Sequence, residues 1–175
     1  MTGDTDPAGE SISDVESILD LLSELEIGGV LFRQALTVRL GIGATEHLVL
    51  DLLIRHGGLA GSELGGMTGL SSAAISELAD RLQESGLLTR APDPRDGRRR
   101  LLVATDAARD HIRSTIDDLG IRDPHRVTVE LLQGLRGADL DAVTIFLSRA
   151  ADRAFRQARS LRLARREPSR WRSRG

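Results

Sequence analysis

The sequence predicts a mainly α-helical chain with one small β-hairpin, and three observations carry that prediction. Apolar residues recur at helical spacing through most of the 175 residues, the pattern of helices that bury one stripe and leave the other face free. The pattern changes only between Leu87 and Val103. There two short apolar runs, Leu87-Leu88-Thr89 and Leu101-Leu102-Val103, flank turn-forming residues from Pro92 to Gly97, which is the signature of a hairpin. Hydrophobic residues make up 40% of the chain but aromatics only 2%, so Leu, Ile, Val and Ala must build the core.

Taken in order, Met1 to Ser11 is polar and rich in small residues and is expected to be poorly ordered. Ser11 or Ser13 can cap a first helix, in which Val15, Ile18, Leu19, Leu22, Leu25, Val30 and Leu31 recur at helical spacing. Gly28-Gly29 interrupts it at a cost of about 1 kcal/mol per glycine relative to alanine, which predicts a kink or a close helix crossing. A second helix is expected from Gly43 to His56, burying Leu48, Leu52 and Leu53 and ending at Gly57-Gly58. Gly57 to Gly61 is glycine-rich without the lysine of a phosphate loop, and reads as a linker. Ser62 can cap a short helix from Glu63 to Met67, with Thr68-Gly69 as the following turn.

The stretch from Leu70 to Arg100 is the most informative. Leu70, Ala74, Ile75, Leu78 and Leu82 form a helical stripe. Ser71 can cap the helix and Gly86 can stop it. Opposite the stripe lie Ser72, Ala73, Ser76, Glu77 and Asp80, a face small enough at its N-terminal end to approach base edges in a major groove. The hairpin tip that follows holds Arg95, Arg98, Arg99 and Arg100 with Asp93 and Asp96 between them. A guanidinium can enter a narrow minor groove, and a neighbouring carboxylate can orient it. Helix, short strand, basic hairpin is the order of a winged helix-turn-helix.

Beyond the hairpin, Thr105 can cap a helix over Asp106 to Leu119 that turns Ala107, Ala108, Ile112, Ile116 and Leu119 inward. Asp123-Pro124 should break or kink it, with Val127 to Leu135 resuming. Asp139 to Leu163 reads as a long last helix with Leu140, Val143, Ile145, Phe146, Leu147, Ala150, Ala154 and Phe155 apolar. Arg165 to Gly175 is basic and expected to be mobile.

From Gly41 to Arg109 the chain resembles the MarR family of bacterial transcriptional regulators. The matching pieces are Gly41 to Leu53, Ser62 to Gly69, Asp80-Arg81-Leu82 with Glu84-Ser85-Gly86-Leu87, and the wing signature Asp93-Pro94-Arg95-Asp96-Gly97-Arg98-Arg99. Each is weak alone; together, in order and at matching spacing, they are specific. Ala108 stands where the family usually has glycine. The resemblance implies four regions: an N-terminal tail and dimerisation helix over 1–40, a winged helix-turn-helix over 41–105, dimerisation helices over 106–163 and a basic flexible tail over 164–175. It also assigns DNA contact to Ser71, Ser72, Ala73, Ser76, Glu77 and Arg81 on the recognition helix, and to Asp93, Arg95, Asp96, Arg98 and Arg99 on the wing. Arg98, oriented by Asp93 or Asp96, is the expected minor-groove residue, with Arg95 or Arg99 on phosphate. His47 falls where relatives often place an aromatic near an effector pocket, which makes it the candidate ligand contact. A single histidine on an amphipathic helix is more often just a partly buried polar residue.

Composition bounds the rest. With no cysteine, disulfides, thiolate metal sites and cysteine redox switches are excluded. His56, His111 and His125 stand singly, which argues against a metal site, and no cofactor motif is present. No run approaches the roughly 20 apolar residues of a bilayer span and the acidic start is unlike a signal peptide, so the expectation is a cytoplasmic protein without membrane attachment. No catalytic constellation is recognisable, which argues against an enzyme. Net charge is only −2, against an indiscriminate nucleic-acid binder, but its distribution is uneven. Met1 to Gly29 has acidic and no basic residues, whereas Arg149 to Arg174 is densely basic, and every positive side chain is arginine. The acidic first segment and basic last helix are thus expected to pack together.

The function these readings imply is a homodimeric, repressor-type regulator on a pseudo-palindromic double-stranded operator, its recognition helices roughly 34 Å apart and its state shifted by a small organic effector. The competing reading is a winged-helix protein-interaction module that no longer reads an operator. Glu77 keeps it open: a carboxylate near phosphates opposes binding, although it can also accept from cytosine N4.

Overall fold

The computed structural model describes residues 7–163, and the chain divides between His47 and Leu48 into two compact units. Of the stretch Met1 to Ser11 expected to be poorly ordered, Met1 to Asp6 lies outside the described residues and Pro7 to Ser11 is helical, while the expected flexible tail over 164–175 lies outside them.

In the first unit, helix α1 runs Pro7–Leu40 and α2, Ala44–His56, begins. Proline is tolerated in a first helical turn, where its missing N–H costs nothing, and α1 starts at Pro7, so Ser11 and Ser13 lie inside the helix and are not its caps. The helix continues through Gly28-Gly29. No other element closes on that pair: a side chain at Gly28 would meet open space, and one at Gly29 only the Arg33 guanidinium of the same helix. The anticipated close crossing is therefore absent from the described residues. Gly41 adopts φ 67° and reverses the chain, and the Glu46 carboxylate accepts from Gly43 N–H at 2.9 Å to cap α2.

The second unit holds the rest of α2, β1 (Leu59–Ala60), α3 (Gly61–Thr68), α4 (Ser72–Glu84), β2 (Leu88–Asp93), β3 (Asp96–Ala104), α5 (Asp106–Asp118), α6 (Pro124–Leu132) and α7 (Ala138–Leu163). The core is aliphatic: Val49, Leu50, Leu53, Leu64, Leu82 and Leu88 are fully buried, joined by Ile75, Leu78, Ala79, Leu102, Ala104, Ala108 and Ile116. The phase of α2 differs from expectation. Leu52 and Leu53 are buried, but Val49 and Leu50 share the core while Leu48 is 46% exposed.

The strands form an antiparallel sheet in the order β1-β3-β2. The glycine-rich linker contains a strand, because Leu59 and Ala60 pair with Leu102 and Leu101. The hairpin is also longer than its apolar runs suggest. Pro92 lies within β2 opposite Arg100 and the turn shrinks to Pro94-Arg95, with a register shift at Pro92/Asp93. Proline is accommodated because β2 is an edge strand, where a missing donor breaks no ladder.

Ser62 sits within the first turn of α3 and does not cap it. The cap is Ala60, whose N–H donates to the Glu63 carboxylate at 2.7 Å. Thr105 caps α5 as expected, accepting from Ala108 N–H at 3.2 Å. Ala108 and Ile116 face inward, whereas Ala107 and Leu119 are exposed. The helix stops at Leu119-Gly120, with Gly120 at φ 64°, and Pro124 opens α6 instead of kinking a continuing helix.

Candidate nucleic-acid interface

Helix α4 is built to present one face. Ser71 Oγ accepts from Ala74 N–H at 3.2 Å, satisfying an otherwise orphaned first-turn donor. Gly69, at φ 77°, closes α3 by donating to Gly65 C=O at 2.8 Å and turns the chain into the α4 cap. Ile75, Leu78, Ala79 and Leu82 bury one side, and Ser72, Ala73, Ser76, Glu77, Asp80 and Arg81 are exposed on the other. Leu70 and Ala74, expected in the stripe, are half-buried at its edge.

The sheet carries the second half of the site. Successive β residues face opposite sides, and β3 divides its arginines accordingly. Arg100 and Leu102 line a groove of about 190 Å³ with Ser72 and Ser76 of α4 and Arg90 of β2. Arg99 and Leu101 line a different cavity, of about 470 Å³, with His56, Glu63, Asp93 and Arg95. The alternation does not extend back to Arg98, because the register is irregular between Asp96 and Arg100 and Asp96 lines the same cavity as Arg99.

The wing carboxylates act differently from expectation. Asp93, 8% exposed, accepts from the Arg95 backbone N–H at 2.9 Å, and Asp96 accepts from the Arg98 backbone N–H at 3.1 Å. Both shape the tip through the main chain, as aspartate does in turns. Neither orients the Arg98 guanidinium, which has no hydrogen bond or ion pair among the described residues. Arg99 is the paired one, 3.5 Å from Glu63 and 4.0 Å from Asp93.

Two tertiary links were not foreseen. Arg90 reaches back to α4, 2.7 Å from Asp80 and hydrogen-bonded to Gln83, so Asp80 braces the helix against the sheet and Glu77 is left as the free carboxylate of that face. Glu63 joins the start of α3 to the wing. No local spacing signals either pair, because the partners lie on different elements. His47, the candidate ligand contact, is 8% exposed, so a ligand touching it would have to enter the fold. Among the described residues no group of three or more His, Cys, Asp and Glu is placed to hold a metal, and no helix is long and apolar enough to cross a membrane.

The MarR family model matches residues 40–99, which span this whole arrangement up to Arg99. An uncharacterised HTH-type transcriptional regulator of Bacillus subtilis (strain 168), YcgE, is 32% identical over 143 residues, 81% of this chain and 90% of that protein. Among solved structures, transcriptional regulator Tm0710 from Thermotoga maritima aligns with a TM-score of 0.54 at 20% identity, over 81% of this chain and 96% of that one. A MarR family protein from Bacillus stearothermophilus aligns at 0.55 and 16% identity, over 81% and 96%. These two share the fold.

Proposed function

Because the chain belongs to the MarR family of transcriptional regulators, which are not enzymes, we propose that it acts as a homodimeric repressor reading a pseudo-palindromic double-stranded operator. The observation that carries this reading is the shared groove: Ser72 and Ser76 of α4 and Arg90 and Arg100 of the wing line one surface. In this reading the exposed face of α4, from Ser71 to Arg81, lies in a major groove. Arg98 enters the adjacent minor groove, and Arg95 contacts phosphate.

Exposed apolar side chains support association. Leu19, Leu25, Ile27 and Leu31 on α1 are 56–70% exposed, and on α7 Ile145, Phe146, Leu147 and Phe155 are 43–55% exposed. Apolar patches of this kind mark interaction surfaces, and a second copy of the chain is the partner that covers them. Two-fold pairing then sets the recognition helices roughly one DNA turn, about 34 Å, apart. A small organic ligand that favours a different spacing releases the operator.

The test is selection of duplexes from a random library, followed by titration of the selected and a scrambled duplex at one salt concentration. The reading expects a selected palindromic sequence bound at least about 10³-fold more tightly than the scrambled one. Failure to enrich any sequence contradicts it and favours a winged-helix module that binds protein.

A further inference from the structure

We propose that Glu63 is a positioning residue that sets the wing against the helix-turn-helix, one carboxylate holding both the first turn of α3 and the wing arginine Arg99. This inference rests on the DNA-binding reading above. One Glu63 oxygen, Oε2, accepts from Ala60 N–H at 2.7 Å, while the other, Oε1, lies 3.5 Å from Arg99 Nη2. Ala60 is itself paired with Leu101 in the sheet, so the carboxylate is anchored where β1, β3 and α3 meet. On the far side of the same guanidinium, Arg99 Nη1 lies 4.0 Å from Asp93, which also fixes the Arg95 amide at the tip. The strut therefore runs from the α3 cap through Arg99 to the turn of the wing.

Its consequence falls on the neighbouring residue. Arg99 is drawn to the Glu63 face, and Arg98 is carried by the same stretch of β3 backbone, between the turn and Arg99. Arg98 has no partner of its own among the described residues, so its approach to DNA is set by the strand that carries it. Glu63 and Arg99 are both nearly half exposed, and a pair so exposed contributes little to folding. Its effect belongs in the placement of the wing.

Glu63→Gln isolates the strut, because glutamine serves at this position of a capping box and keeps an oxygen for Ala60 N–H while losing the charge that Arg99 pairs with. Arg99→Gln removes the other partner and leaves the cap intact. Each variant, alone and combined with Arg98→Ala, is titrated against a duplex selected by the wild-type protein and against a scrambled duplex. Glu63→Gln is expected to weaken the selected duplex about fivefold and the scrambled duplex less than about twofold. Arg99→Gln should match it, and Arg98→Ala should cost about fivefold less in either background than in wild type, because a misplaced wing has already lost that share of the contact.

The proposal is overturned if Glu63→Gln binds as wild type, or if its penalty and that of Arg98→Ala multiply in full. It is equally overturned if Arg99→Gln weakens both duplexes alike and multiplies with Arg98→Ala, since Arg99 would then be a phosphate contact. Should Glu63→Gln fail to fold, the Arg99→Gln and Arg98→Ala cycle decides alone. A wild-type protein that prefers no duplex would instead defeat the DNA-binding reading itself.

Discussion

Helices α4 and α1 dispose of their apolar residues in opposite ways. In α4, Ile75, Leu78 and Leu82 are only 2–3% exposed, whereas in α1 Leu25, Ile27 and Leu31 remain 60–70% exposed. A helix whose stripe is satisfied within its own unit can give its remaining face to a ligand. One whose apolar side chains stay exposed, as in the middle of α1, asks for another surface.

Substitutions in the two helices should show the difference most clearly. Leu78→Ala leaves a cavity in a closed core and should destabilise the fold by about 2–5 kcal/mol, measured by urea unfolding. A loss below about 1 kcal/mol would mean that α4 is not anchored as described. On the free face, Arg98→Ala should cost about 1–3 kcal/mol of affinity on the selected duplex. Unchanged binding at moderate salt would leave Arg98 a solvated loop charge. In α1, Ile27→Asp should raise the dimer dissociation constant by at least about tenfold, ~1.4 kcal/mol, by sedimentation at micromolar protein. If the wild type is already monomeric there, the exposed apolar side chains of α1 have another partner.

The smallest effect concerns Glu77, the exposed carboxylate that Arg90 leaves unpaired. Glu77→Gln should strengthen binding to scrambled DNA by a few-fold, more than to the selected duplex, narrowing the ratio between them. A selective loss on the selected duplex would instead show that Glu77 reads a base. No change on either would mean it does not face DNA.

How much was legible follows from where the determining interactions lie. The stripe of α4, its Ser71 cap and the αL Gly86 beyond it are local, and the sequence showed all of them. The basic wing was legible for the same reason. What depends on a partner far along the chain was not. Leu59-Ala60 is a strand only because β3 runs beside it. The division of Arg99 and Arg100 between two faces needs the sheet register, which shifts at Pro92/Asp93. Glu63 looks like an ordinary first-turn acid until Arg99 is placed next to it. The exposure of Leu48 is a matter of helix phase, which four adjacent apolar residues, Leu48 to Leu50 and then Leu52, leave ambiguous.

If two copies of the α4 and wing surface read one operator, footprinting of the selected duplex with wild-type protein should show two protected major-groove segments related by a two-fold axis. Their centres should lie about 10 base pairs apart, each flanked by minor-groove protection from a wing. A single protected segment, or protection spread evenly along the duplex, would contradict that reading.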